Sequence, residues 1–379
     1  MRALVFVYEY PPLGGGVANA IFHILQEWQS NADVTIDVVT SSLANSWETE
    51  SISERITLHR VPIGQRSPEN YHRQTLAHMV RYTLGSMWLG MRLSRKHSYD
   101  VSLTFGYPGP VASWVLSWFG VPYVVALRGV DVPGYNPRFS WGSWLHRLVM
   151  RVLWSRAKAL TANSQWLATV ARKTWPQAPI TVIPNGVDTD LFRPVPPKDK
   201  FTAFTVTAGG TVMGKKKRLD VLIAGFAEFV QAEQLNSQEA QLLLIGDGDE
   251  YAALVQLVRD KEIESYVQFV GAKDRKWIAQ NLPRCHVFCL PSVAEGMSNA
   301  ALEAMACGLP LILSDVGAAR EMVDGNGVVL QSVTPESISQ TLSAWQADKT
   351  LLSTMSRRSV ALSAAFSWSR VARELKEVW

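Results

Sequence analysis

Twice along these 379 residues, short apolar runs alternate with longer stretches of helical period. The first series reads ALVFVY, GGVANAIFHILQEW, TIDVVT, TLAHMVRYTLGSMWLGMRL and DVSLTF, and continues through PYVVALRG, SWLHRLVMRVLWSRA, KALTAN, SQWLATVARKTW and ITVIPNG. The second reads FTAFTVTAGG, LDVLIAGFAEFVQAEQ, AQLLLIGDGDE, YAALVQLVRD, YVQFVGA, HVFCLPS, NAALEAMACG and PLILSDVG. Runs that are apolar throughout are buried on both faces. Strand and helix in turn give parallel strands joined by crossover helices, so each series predicts a doubly wound α/β sheet. Between them RPVPPKDK, residues 193–200, is rich in proline and charge, as an interdomain linker is. The predicted domains are 1–192 and 201–365. Two such domains facing each other leave a cleft between the carboxyl ends of both sheets, where α/β proteins bind ligands.

Composition removes several classes of function. With 47% hydrophobic and 18% charged residues the chain has ample material for two cores. No run of eighteen or more uncharged apolar residues offers a membrane span. The start, MRALVFVYEYPP, reads as a buried strand and not as a signal peptide, so a cytoplasmic protein is expected. Cys285, Cys289 and Cys307 sit near apolar positions in an odd number, which suits buried thiols better than disulfides or a metal site.

The stretch PSVAEGMSNAALEAMACGLP, residues 291–310, places Glu295 and Glu303 among small residues where packing alone would favour Leu or Val. Glu295 and Gly296 fall on the loop after the strand HVFCLPS. Ser298 or Asn299 caps the following helix, and Glu303 lies about one turn inside it. The start of such a helix offers unpaired N–H groups and partial positive charge to an anion. Inward carboxylates without partners would cost several kcal/mol, so these two imply donors that arrive with a ligand; sugar hydroxyls are such donors.

This stretch resembles the signature of the retaining glycosyltransferases of family 4, a glutamate, seven residues and a second glutamate, carried on the GT-B fold of two Rossmann-like domains. The resemblance covers nearly the whole chain. It includes YEYPPLGGGV, IPNGVDTDLFRP, GKKKRLDVLIAGF, LLIGDGDE, LPSVAEGMSNAALEAMACGLPLILSDVGAARE and FSWSRVARELKEVW. It implies that Glu295 contacts hydroxyls of the donor sugar and that Glu303 accepts the two ribose hydroxyls. The backbone of Gly296, Met297 and Ser298, with Asn299 beside them, would meet sugar and diphosphate. It assigns the loop of Gly15 and Gly16 to diphosphate and acceptor contacts; the plain reading of that loop is a tight turn, since Asn19 stands where a dinucleotide fingerprint has its third glycine.

Lys217 matches the family's lysine and would supply a cation to the leaving diphosphate. The family's arginine after the preceding strand is missing, because that strand runs into Gly209, Gly210, Thr211 and Val212. Either Arg218 compensates, or backbone N–H groups around Gly210 and Thr211 form an anion nest. In VVALRGVDVPG, Arg128 stands where many relatives have histidine. Arginine cannot serve as a base at neutral pH, so there it binds oxygen or stabilises negative charge, unless it only pairs with Asp131. Two Asp-x-Asp pairs, Asp188–Asp190 and Asp247–Asp249, carry turn signals, so no metal and no cofactor is expected.

From residue 70 to 187 there are thirteen Lys and Arg against Asp100 and Asp131, and eight of the fourteen Trp lie there too. On a helix over residues 140–158, Trp141, Trp144, Leu145, Leu148 and Val152 share a face while Arg147 and Arg151 stack one turn apart; this is either an ordinary core-facing helix or a membrane-surface one. Nucleic acid is not expected, since no binding module accompanies the charge. The tail, residues 366–379, reads as a helix with Val371, Leu375 and Trp379 on one face, which by resemblance returns to the first domain. The function expected is retaining, metal-independent transfer of a hexose from a nucleotide-sugar, UDP-glucose by preference. The acceptor would be a glycan or lipid-linked molecule, in cell-envelope or exopolysaccharide synthesis at the inner membrane face. The alternatives are an epimerase or phosphorylase of the same fold, and an inactive sugar-nucleotide-binding protein.

Overall fold

Strand β1 (Arg2–Val7), buried from Ala3 onward, is the spine of the first unit. The computed structural model describes residues 1–13, 15–30, 33–64, 75–129, 131–135, 143–212 and 214–379. After β1 come α1 (Gly16–Gln29), β2 (Thr35–Ser42), β3 (Glu48–Ser51), β4 (Ile56–Pro62), α2 (Leu76–Lys96), β5 (Val101–Phe105), α3 (Gly109–Ser117), β6 (Tyr123–Leu127), α4 (Ser143–Ser155), β7 (Ala159–Ala162), α5 (Gln165–Arg172) and β8 (Ile180–Val182). They form one sheet in the order β3-β4-β2-β1-β5-β6-β7-β8. All neighbours run parallel except the polar edge strand β3, which pairs antiparallel with β4. β1 lies between β2, with Arg2 opposite Thr35, and β5, with Ala3 opposite Val101, so the strand order reverses at β1–β5.

The second unit follows with β9 (Phe204–Val212), α6 (Leu219–Ala232), β10 (Ala240–Asp247), α7 (Tyr251–Asp260), β11 (Val267–Gly271), α8 (Arg275–Asn281), β12 (Val287–Leu290), α9 (Asn299–Ala306), β13 (Leu311–Ser314), α10 (Ala319–Met322), β14 (Gly327–Leu330), α11 (Pro335–Ala347) and α12 (Lys349–Ser363). Its parallel sheet has the order β11-β10-β9-β12-β13-β14, which reverses at β9–β12. Apolar clusters cover both faces, one around Leu222, Phe226 and Phe229, the other around Phe288, Leu302 and Met305. The three cysteines are free and buried in this unit.

The chain divides after Asn185 and again after Ser367. The boundary therefore lies upstream of the proline-rich segment, for a physical reason: Val187 and Phe192 are buried in the second unit's core. The Lys200 ammonium also closes the carbonyls of Cys285 (2.6 Å) and Pro283 (3.2 Å). Residues 193–200, expected as the linker, thus pack with the second unit. The last helix, α13 (Trp368–Glu377), belongs to the first unit. Its Val371, Ala372 and Leu375 join the core that holds Ile21 and Ile24 of α1, and the Trp28 indole N–H donates to the Ala372 carbonyl at 3.0 Å.

Candidate functional site

In an open doubly wound sheet the strands to either side of the reversal send their following loops in opposite directions, and the gap at their carboxyl ends admits a ligand. In the second unit those strands are β9 and β12. Gly210 and Thr211 lie at the carboxyl end of β9, and Lys215–Lys217 form a single 3₁₀ turn just beyond it. From this turn the Lys217 ammonium donates to Glu295 Oε1 on the loop after β12, at 2.6 Å. The Ser292 hydroxyl donates to the same oxygen at 2.8 Å. The two charged side chains retain 24% and 19% of their exposure, so the pair is shielded yet reachable. Arg218, the candidate replacement for the missing arginine, pairs instead with Asp220 two residues on, in a more exposed position. The backbone ties the lysine turn to the glutamate loop, with Val293 N–H on the Lys216 carbonyl at 2.8 Å.

The glutamate loop is buttressed from β13. Ser314 donates to the Ser292 carbonyl and Ala318 N–H to the Gly296 carbonyl. Gly317 has φ +58°, and a Cβ there would stand 2.3 Å from the Gly296 oxygen, so only glycine lets the two segments approach this closely. Met297 is buried in the core beside α9. The Ser298 hydroxyl accepts the Ala301 N–H, which makes Ser298 and not Asn299 the cap of α9. With those side chains committed to packing and capping, backbone is what residues 296–298 have to offer a ligand.

Glu303 sits in α9, its side chain only 15% exposed, and accepts from Arg275 Nη1 at 3.1 Å. Burial pushes its carboxyl up to about 7; Arg275 opposes that shift and Asp188 adds to it. Arg275 also lies over the Phe192 ring, at 5.1 Å from its centre. Sequence reasoning missed Arg275, Ser292 and Gly317. Arg275 follows Asp274, the cap of α8, and that cap was the available signal for a helix start; nothing local paired it with a glutamate 28 residues on.

The Asp-x-Asp pairs form turns. Asp188 Oδ1 accepts the N–H of Asp190 and Leu191, and Asp247 Oδ1 accepts that of Gly248. Among the described residues no three His, Cys, Asp or Glu side chains gather as metal ligands.

In the first unit, Arg128 follows β6. Asp131, fully buried, accepts the backbone N–H of Arg128 and Gly129, and its own carboxyl is raised by burial. The Arg128 guanidinium turns elsewhere, donating to Asn185 Oδ1 at 2.6 Å and lying 4.9 Å over the Phe105 ring. Burial brings it down to about 10, so it remains a cation at neutral pH. Its Nε is buried with no hydrogen-bond partner among the described residues. At the end of β1, the Gly15 N–H donates to Glu9 at 3.2 Å and Gly16 opens α1. A Cβ on Gly15 would meet nothing within 4 Å, so packing does not require glycine there. Gly14 and Trp141 lie outside the described residues, as do Arg73 and Arg138.

Two family profiles match the chain: "Glycosyl transferase 4-like domain" over residues 15–186 and "Glycosyl transferases group 1" over residues 203–348. Among curated proteins, the N-acetyl-alpha-D-glucosaminyl L-malate synthase of Bacillus anthracis is 37% identical over 109 residues, a stretch that is 29% of this chain and 27% of that protein. The GDP-mannose-dependent monoacylated alpha-(1-6)-phosphatidylinositol monomannoside mannosyltransferase of Corynebacterium glutamicum is 24% identical over 366 residues, 90% of this chain and 87% of that protein. Among solved structures, sucrose-phosphate synthase from Thermosynechococcus elongatus superposes with a TM-score of 0.81 at 19% identity, covering 99% of this chain and 97% of that one. The Anabaena protein HepE in complex with UDP-glucose superposes with a TM-score of 0.76 at 18% identity, covering 100% and 98%. These structures share the GT-B fold.

Proposed function

Because the chain belongs to the group 1 glycosyltransferases, those of family 4, we propose that it moves a hexose from UDP-glucose to a glycan or lipid-linked acceptor, with retention of configuration and without a metal ion, in the building of cell-envelope or extracellular polysaccharide. The observation that carries this reading is the Lys217–Glu295 pair at the carboxyl ends of β9 and β12. It sets a cation suited to a diphosphate against a carboxylate suited to hydroxyls, one turn before a capped helix start. A donor carries both groups, the phosphates and the sugar, a few bonds apart. In the reading, Lys217 transfers its charge from Glu295 to the diphosphate, and Glu295 turns its freed oxygen to the sugar. Glu303 takes the ribose diol. Gly210, Thr211 and the backbone of residues 296–298 offer N–H groups to phosphate oxygens. In the first unit, the cationic Arg128 and the N–H groups of Gly15 and Gly16 are the candidates that the family resemblance offers for donor and acceptor contacts.

UDP-glucose is preferred because HepE was solved with it, and the relative named for GDP-mannose defines the competitor to test. The experiment is to incubate the protein separately with radiolabelled UDP-glucose and GDP-mannose in the presence of a lipid extract and of soluble oligosaccharides. Label moving from UDP-glucose into either acceptor pool is the expected result. Release from GDP-mannose alone would replace the donor, and no transfer from any nucleotide-sugar would end the reading.

A further inference from the structure

Helix α4 carries apolar residues on the wrong face for a helix that only covers a core. Met150, Leu153 and Trp154 are buried against the first unit's sheet. On the opposite side Trp144, Leu145, Leu148, Val149 and Val152 are between 40% and 70% exposed. Arg147 and Arg151, both exposed, border that stripe on successive turns. At the carboxyl end of the helix the Arg156 guanidinium lies 4.4 Å over the Trp118 ring and bonds the Ser117 hydroxyl at the end of α3. Phe119, 71% exposed, is next to it. Phe119 and Arg95 then share the wall of a cavity of about 330 Å³, which carries the surface to the end of α2.

Between residues 70 and 187 cations outnumber carboxylates thirteen to two. Of the two carboxylates between residues 70 and 187, Asp131 is buried and Asp100 is taken by the backbone N–H of Arg2. An exposed apolar stripe bordered by arginines, with tryptophans at its rim, is the chemistry of a helix lying in a lipid interface: apolar side chains enter the acyl boundary while guanidinium groups meet phosphates. A second copy of this chain docking by the same face would bring Arg147, Arg151 and Arg156 against their own counterparts. We propose that the face made by α4, the end of α3 and the end of α2 docks on an anionic lipid bilayer, with Trp144, Leu148 and Val152 inserted and Arg147, Arg151 and Arg156 on the headgroups. The surface rests on the transferase reading only for its purpose, which is to bring a lipid-linked acceptor within reach; lipid binding itself needs no donor.

Sedimentation with vesicles of equal parts phosphatidylglycerol and phosphatidylcholine, and with vesicles of phosphatidylcholine alone, tests this with no nucleotide present. Failure of lipid binding and failure of sugar transfer are then separate results. The protein is expected to bind the anionic vesicles, to be released by high salt, and to bind the neutral ones far less. At about five-fold per cation, the double variant Arg147→Gln with Arg151→Gln should partition roughly 25-fold less. Trp144→Ser with Leu148→Ser should lose binding while melting at the wild-type temperature, because both side chains are exposed. Wild-type binding that is absent or indifferent to lipid charge would overturn the proposal, as would variants that bind like the wild type. So would a wild-type dimer that the Trp144→Ser, Leu148→Ser variant converts to monomer, since a second copy would then cover the face.

Discussion

The Lys217 ammonium and the Glu295 carboxylate, 78 residues apart in sequence, meet at 2.6 Å across the switch point of the second sheet. Without a ligand each neutralises the other, which lets both stand partly buried at modest cost. A donor would take the two apart in function while keeping them adjacent in space. Removing either therefore has a distinct signature. Lys217→Ala is expected to lower kcat by about 10²–10³, the scale of losing one preorganised charge on a departing anion. Glu295→Ala is expected to leave the affinity for free UDP near wild type and to weaken UDP-glucose by about 1.5–3 kcal/mol, the worth of hydrogen bonds to a charged group. Calorimetry with both ligands decides; equal losses would show that Glu295 does not meet the sugar.

Glu303 gives a pH signature. Its carboxyl is raised to about 7 by burial, so in the free protein it takes up a proton well above the pH at which an unfolded glutamate does. The sign for stability follows: between the unfolded value near 4.5 and the folded one near 7 the native state holds the extra proton, and stability falls as pH rises through that window. A ribose diol needs the carboxylate as acceptor, so UDP affinity should rise with pH across neutrality, and binding near pH 7 should release a proton. Calorimetry in buffers of different ionisation enthalpy measures that release. Glu303→Gln should weaken UDP and abolish the pH dependence. A wild-type affinity flat with pH would remove Glu303 from the ribose.

Gly317 was not singled out in the sequence, yet it sets how closely β13's loop approaches Glu295. A Cβ would stand 2.4 Å from the Glu295 carbonyl oxygen as well as 2.3 Å from that of Gly296, and backbone cannot yield as a flexible side chain does. Gly317→Ala should shift the loop by a sizeable fraction of an ångström, raising KM for the donor and lowering kcat together, with a modest loss of stability. Wild-type kinetics in this variant would mean that the loop position is not what orients Glu295.

How much could be read in advance divides along the range of the interactions. Strands buried on both faces announce themselves as apolar runs, which is why β1, β5, β6, β10 and β12 were legible. β3, ETES, was not, because it is a polar edge strand held only by β4. α3 was hidden behind Pro108 and Pro110, residues that mark turns along a sequence but here open a helix. Glu295, Glu303 and Lys217 were legible through a motif; the partners that tune them were not. Arg275 and Ser292 act through contacts that only the folded sheet creates. For Arg128 the sequence leaves a ligand or Asp131 open as partner; in the folded chain its guanidinium donates to Asn185 while Asp131 accepts its backbone N–H, contacts that only the folded sheet creates. In α4 the pattern of apolar residues was correct, but periodicity alone does not tell which of two apolar faces is inward.

The carboxyl-terminal helix makes a stability prediction that is independent of chemistry. Leu375 is fully buried in the cluster that holds Ala20, Ile21 and Ile24, and Trp379 packs edge-on against Trp28 at 4.6 Å. Leu375→Ala should cost the first unit about 2–5 kcal/mol. Deleting residues 370–379 should expose the apolar face of α1 and cause aggregation. If thermal melts of the Leu375→Ala protein match the wild type, α13 is not held as the structure has it.

The arrangement of carboxylates bears on how the anomeric bond would break. Enzymes that form a covalent glycosyl intermediate set two carboxyl groups about 5 Å apart across the reacting carbon. Here Glu295 on the loop after β12 and Glu303 in α9 lie on one loop-helix segment of the second unit, beside Lys217 with Ser292 and beside Arg275, and by resemblance they hold hydroxyls at opposite ends of the donor instead of facing each other across the reacting carbon. Asp131 in the first unit is bound by backbone N–H groups and fully buried, so it cannot attack either. The proposed reading is then departure of the diphosphate with its charge stabilised by Lys217 and the start of α9, while the acceptor enters on the same face. On this view Asp131→Asn should disturb the turn after β6 but reduce kcat far less than Lys217→Ala. Chelators should leave activity intact, and the product should keep the donor's anomeric configuration, read directly by NMR of the glycoside. A sugar trapped covalently on any Asp or Glu, or activity abolished by a chelator and restored by manganese, would show that the chain works by a different route.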